Sequence, residues 1–218
     1  MNKTLAMLAG TALLCVHGWG MARTLSVNVV DKDGKPVPDA VVVVTTTARG
    51  QPRQELPASA TVSQARMRFV PAVTIVPVGA RVNFVNDDAF DHHVRGVPAG
   101  AAQFTAKDTD GFVLRLDGKV AGKPASAEQV AMTKAGPLAL SCHIHQSMRG
   151  HVYVTDSPWT RLTQADGKAT FDDLPAGAAQ VRVWSADQLF DLPPQAVAAG
   201  SEPQQLTVRL TASMRPRR

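Results

Sequence analysis

The sequence predicts an all-β chain in which one β-sandwich is inserted in a second, smaller one. Three observations carry that expectation. Short valine-rich runs recur along the 218 residues, separated by turns rich in the chain's 16 Gly and 15 Pro. Apolar spacings of three and four, the mark of amphipathic helices, are scarce. A strand–turn–strand theme near the start returns after Trp159, and neither copy has enough strands to close a sandwich alone.

Each element follows from its local pattern. Residues 25–30 alternate apolar and polar, as a half-buried strand does. Asp31-Lys32-Asp33-Gly34-Lys35-Pro36 is a turn, and residues 41–44 form a continuously apolar second strand. Residues 46–60 read as a polar crossing loop. Strands are expected at 67–70, 73–76, 81–85, 112–116, 138–141 and 152–155, with 117–130 as a Gly- and Lys-rich loop. Beyond Trp159 come a turn at 163–167, a strand at 169–171, a turn at 174–177, and alternating strands at 181–184 and 206–210. Residues 23–50 and 158–212 therefore make the outer sandwich, with Phe171 and Trp184 in its core, and residues 55–157 the inner one. Residues 213–218 form a basic tail.

Residues 1–22 read as a signal peptide. Lys3 precedes a mostly apolar run over 4–16, and Gly18-Trp19-Gly20 leads to Met21-Ala22 as a small-residue cleavage site. That run is too short to span a bilayer, and none later is longer, so a periplasmic protein with no integral membrane span is expected. Removing the peptide takes away Lys3 and no acid from a net charge of +5. The modest positive balance left suits an acidic protein partner. No basic stripe with interleaved aromatics is present, which argues against nucleic acid. Of the 2 cysteines, Cys15 leaves with the peptide. Cys142 then has no internal disulfide partner, and a lone thiol in an oxidising compartment calls for burial, a ligand role or nucleophilic chemistry.

The chemistry concentrates in Ser141-Cys142-His143-Ile144-His145-Gln146-Ser147-Met148-Arg149-Gly150. A turn between two strands aims Cys142, His145 and Met148 at one point. Thiolate, imidazole and thioether form a soft set suited to copper in both oxidation states. Structural zinc sites normally take four Cys or His ligands, so Met148 makes zinc the poorer fit. One histidine is still missing, and His92 and His93 are the candidates in Asn86-Asp87-Asp88-Ala89-Phe90-Asp91-His92-His93-Val94.

These two stretches resemble the cupredoxin family of blue copper proteins, which includes plastocyanin and amicyanin. Asn86, His92 and Val94 match the family's first ligand loop; Cys142, His145, Met148 and Gly150 match its second. Phe69-Val70-Pro71 through Pro77-Val78-Gly79, Val82 and Phe84 resembles the entry to the first loop. The stretch 25–184 is similar to bacterial exported proteins labelled methylamine-utilization or plastocyanin-like. In these a cupredoxin sits within a carboxypeptidase-regulatory or Cna-B-like sandwich, which Thr163-Gln164-Ala165-Asp166-Gly167 and Val181-Arg182-Val183-Trp184 resemble. The resemblance implies a Greek-key sandwich and one copper ion in a plane of His92, Cys142 and His145, with Met148 axial. It also implies single-electron exchange with periplasmic redox protein partners, without enzymatic activity. His93 stands where the family commonly has Asn, and Gln146 where it commonly has Pro. His143 and His151 read as solvated or partly buried. Three rivals are a copper carrier or scavenger using the same residues, a thiol enzyme with Cys142 as nucleophile, and a purely structural sandwich.

Overall fold

A computed structural model describes residues 22–213, so the signal peptide expected over 1–22 (but for Ala22) and the basic tail expected over 213–218 (but for Ser213) lie outside the described residues. Among the described residues the chain is all-β apart from two short 3₁₀ turns, Gly100–Phe104 and Asp108–Asp110. None of its described helices is long and apolar enough to cross a membrane.

Two sheets form the outer sandwich. One joins β1 (Ala22–Val30), β13 (Lys168–Pro175) and β16 (Gln204–Arg209), with β1 central. The other runs β12 (Trp159–Leu162), β2 (Val41–Thr46), β14 (Ala179–Trp184), β15 (Gln195–Val197). Leu25, Val27 and Val29 of β1 point inward and meet Val42 and Val44 of β2, with Phe171 between the sheets. The intervening Ser26 and Asn28 face outward, as the period of two requires.

The chain between β2 and β12 builds a second sandwich. Its smaller sheet is β4 (Arg68–Val70), β3 (Ser59–Ala65), β6 (Arg81–Asn86), β9 (Ala127–Ala131). Its larger sheet is β5 (Val73–Pro77), β11 (Arg149–Thr155), β10 (Gly136–Cys142), β7 (His92–Pro98), β8 (Phe112–Leu116). Val62, Phe69, Val82 and Phe84 from one sheet pack on Val94, Leu116, Leu140 and Val152 from the other.

Several strands differ from their sequence expectation. The crossing loop ends at β3, the Gly- and Lys-rich loop contains β9, and β12 and β15 were not foreseen. β9, β12 and β15 are edge strands of five residues or fewer, and β3, though an inner strand, is rich in polar and small residues, so none has a valine-rich signature. The stretch around His92 and His93, read as loop, is the start of β7. The turn expected at 174–177 begins later, because β13 runs through Pro175.

Trp184 also sits elsewhere than expected. It joins Val41, Val43, Val73 and Tyr153 in a cluster between the two sandwiches. This explains why β2 is apolar on both faces: one serves the outer core and the other the seam. The return crossing is stitched by polar contacts, with Ser157 Oγ donating to the Val44 carbonyl at 2.5 Å and the Thr155 and Thr160 hydroxyls 2.7 Å apart.

Thr163 ties the two separated parts of the outer sandwich. Its buried hydroxyl donates to the Val37 carbonyl at 2.6 Å and accepts the Ala40 N–H at 2.9 Å. Thr163→Val leaves both backbone groups without that partner and is expected to cost about 2 kcal/mol. Denaturant unfolding with an unchanged slope and a lowered midpoint is the check; an unchanged midpoint contradicts the role.

Candidate metal centre

The centre is built from the ends of two paired strands. Cys142 closes β10 and Val94 of β7 lies opposite it, both facing the core. His92 is two residues before Val94 and so faces the same way, fully buried; His93 faces out. After Cys142 the chain turns tightly, the Met148 N–H donating to the His145 carbonyl at 3.0 Å, and β11 returns antiparallel to β10. This turn brings half-buried His145 back to Cys142 and buries Met148 in the apolar cluster that holds Cys142.

Three donor atoms converge. His92 Nδ1 and His145 Nδ1 each lie 3.6 Å from Cys142 Sγ and 3.2 Å from one another. A point in their plane is about 2.0 Å from all three, the length of a metal–imidazole bond. Among the described residues these three are the group of His, Cys, Asp or Glu side chains that can hold a metal ion.

The contacts of His92 fit that use. Its Nε2 lies 3.1 Å from Asp88 Oδ2. A carboxylate only accepts, so Asp88 takes the Nε2–H, and a neutral His92 ring then carries its lone pair on Nδ1, turned toward sulfur. Burial pushes the Asp88 carboxyl up, but the Met67 and Arg66 N–H groups and His92 outweigh it and hold the group below the ordinary carboxylate value. Those N–H groups donate at 2.9 and 2.5 Å. Asp88 is thus charged at neutral pH and locked in place. The thiolate, two imidazoles and a nearby buried thioether make a donor set of the copper type.

A second group of contacts fixes the surroundings. Asn86, fully buried, donates to the carbonyls of Phe90 at 2.8 Å and Asp117 at 2.9 Å and accepts the Asp88 N–H at 3.0 Å, which pins the loop leading to His92. Arg149 does the same for the second loop, donating to the Gln146 and Met148 carbonyls at 2.5 and 2.8 Å. That brace stands where Gln146 replaces the usual Pro of the resembled pattern. Gly150 lets β11 approach β4, since a Cβ there would lie 2.7 Å from Phe69 Cβ. The exposed Phe90 ring stands edge-on to both histidines, its centroid 5.3 Å from that of His92 and 5.2 Å from that of His145.

Of the residues singled out in the sequence, the fold brings His92, Cys142 and His145 together and buries Met148 beside them. His93 and His143 stay outside the group, joined only by the His143 N–H to His93 carbonyl bond at 3.0 Å. His151 is half-buried with its ring edge against Trp184, centroids 5.1 Å apart. Asp88 was missed. Its one sequence signal is an acid four positions before the candidate histidine, in a loop that also holds Asp87 and Asp91.

No family model matches the chain, and no curated protein matches it. Among solved structures it is similar to a Cu-containing nitrite reductase from Thermus scotoductus, at 27% identity over 51% of this chain and 25% of that one, with a TM-score of 0.36. It is similar to amicyanin from Paracoccus versutus at 24% identity over 51% of this chain and 97% of that one, TM-score 0.33. A mutant amicyanin in its Cu(I) form gives 22% identity over 52% and 98%, TM-score 0.33. The chain thus spans a quarter of the nitrite reductase's length and nearly all of the amicyanins'.

Removing the Asp88 carboxylate frees the His92 ring to rotate and to change tautomer. Asp88→Ala is expected to weaken metal binding on the order of 10- to 100-fold, measured by competition with a chelator. Affinity equal to that of the unaltered protein contradicts the orienting role.

Proposed function

We propose that the chain is a periplasmic type 1 copper protein of the cupredoxin kind, carrying single electrons between protein partners. His92, Cys142 and His145 would hold one copper ion, with Met148 as a fourth, weaker donor. The observation that carries the reading is the triangle of Cys142 Sγ and two imidazole Nδ1 atoms around a point at bonding distance. Bound copper supplies one-electron exchange between Cu(I) and Cu(II).

The protein's own residues supply the rest. The loops carrying His92 and His145 are pinned by Asn86 and Arg149, so the donors stay in place whichever charge they face. Cys142, His92 and Met148 are buried and exclude water from the thiolate. His145 is the half-exposed ligand, and the Phe90 ring, 42% exposed, gives its edge an apolar neighbour. That edge is the exit for the electron toward a partner. No substrate bond is made or broken. The thiol-enzyme alternative needs an accessible sulfur, and Cys142 is 2% exposed. A periplasmic location rests on the reading of residues 1–22 as a signal peptide.

Addition of Cu(II) to the protein is expected to give an intense visible thiolate-to-copper charge-transfer band. Cys142→Ala abolishes it, His92→Ala and His145→Ala abolish or strongly change it, and His93→Ala leaves it in place. A colourless protein sinks the proposal, and rapid loss of the copper to a competing chelator favours a carrier instead. Met148→Leu is expected to keep the band while raising the reduction potential, read by voltammetry. An unchanged potential removes Met148 from the ligand set.

A further inference from the structure

A cleft of about 690 Å³ opens where the two sandwiches meet. Its floor is the outward face of the larger inner sheet, where Arg95 of β7 and His151 of β11 lie on either side of β10. One wall is Trp184 and Gln188 of the outer sandwich; the other is the segment from Gly100 to Lys107, between β7 and β8. The volume is in the range of small-molecule sites.

Its charge is one-sided. Lining groups include Arg95 and Lys107 and not one carboxylate. The four floor strands β7, β8, β10 and β11 contain no Asp or Glu at all. Arg95 makes no ion pair or side-chain hydrogen bond among the described residues. Asp110, three residues after Lys107, accepts the Lys107 backbone N–H at 2.9 Å and pairs with Lys134 Nζ at 3.6 Å, and it also feels the Lys107 charge.

The neutral donor is also unspent. Trp184 is 3% exposed, and its indole Nε1 has no hydrogen-bond partner, a state that buried N–H groups rarely keep. Gln188, by contrast, is satisfied. Its amide donates to the Phe190 carbonyl at 2.9 Å and accepts the Thr211 N–H at 3.0 Å, fixing the wall. The cleft is preformed, cationic and short of an acceptor.

We propose that this cleft binds a small oxyanion-bearing ligand, carboxylate or phosphate, between the Arg95 guanidinium and the Lys107 ammonium, with the Trp184 indole N–H as third donor. The planar guanidinium matches two oxygens of such a group, and the lysine adds a point charge. Binding of this kind needs no metal, so it stands or falls separately from the copper reading.

The test is an NMR titration of the metal-free protein with sodium phosphate and, separately, sodium succinate at constant ionic strength. The signal followed is the Trp184 indole N–H, assigned by its absence in Trp184→Phe. A saturable shift with at least one of the two is expected. Arg95→Gln and Lys107→Gln should each weaken it tenfold or more, and Arg81→Gln, on the other sheet, should leave it unchanged. Saturation by phosphate alone identifies a phosphoryl ligand; saturation by succinate alone identifies a carboxylate. A shift no different from that given by sodium chloride overturns the proposal, as does equal binding in Arg95→Gln and Lys107→Gln.

Discussion

The register of β7 against β10 is the constraint on which the metal centre depends. Val94 lies opposite Cys142, and both face the core. With a side-chain period of two, this alone sends His92 inward and His93 outward. A slip of one residue would exchange the two histidines and turn Val94 out of the core at the same time. The apolar core of the inner sandwich and the choice of histidine are therefore held by the same hydrogen-bonded ladder. The lower part of that core, with Leu140 opposite Gly96 on the same two strands, penalises the slip again.

The seam between the sandwiches extends that logic outward. Val41 and Val43 cover Val73 and Tyr153 on the outward face of the larger inner sheet, so the half of that face near β5 is closed. The half near β7 and β8 stays open and carries Arg95 and Arg115. A single sheet thus has the donor triangle on one side and, on the other, a face divided between an apolar contact and a cationic cleft. Insertion of one sandwich in the other is what creates the division, because the chain leaves for the inner sandwich after Thr46 and returns at Trp159, opposite Val44, at the same end of β2.

Much of this was legible in the sequence, for identifiable reasons. The all-β class showed in valine-rich strands such as β1 and β2, whose burial demands apolar side chains. β3 did not show, because its inward positions include Gln64, a fully buried amide bonded to the Val62 carbonyl. β7 read as a loop because its first inward residue is a histidine. Cys142, His145 and Met148 stood out because they share one loop, where spacing in sequence constrains spacing in space. Asp88 did not, since its role depends on the Arg66 and Met67 N–H groups, which arrive from the β3–β4 turn and have no sequence marker. Trp184 looked like an ordinary core aromatic. Only the packing of the two sandwiches shows it at the seam.

The fate of the cysteine joins these strands of argument. A lone thiol could be protected simply by burial, as an inert apolar residue. Cys142 is buried, but two imidazole nitrogens point at its sulfur from 3.6 Å, and an inert thiol would have apolar neighbours there instead. Bringing three nitrogen and sulfur donors face to face, two of them buried, is unfavourable unless something between them accepts their lone pairs. Asp88 sharpens the point, because a neutral His92 whose Nε2–H is donated to Asp88 has no hydrogen on the buried Nδ1 to offer the sulfur. Protons on His145 and on the thiol can relieve one contact each, but not all three at once. A metal ion would satisfy the three together, and the fold supplies, through Asn86 and Arg149, the hydrogen bonds that keep their loops in place.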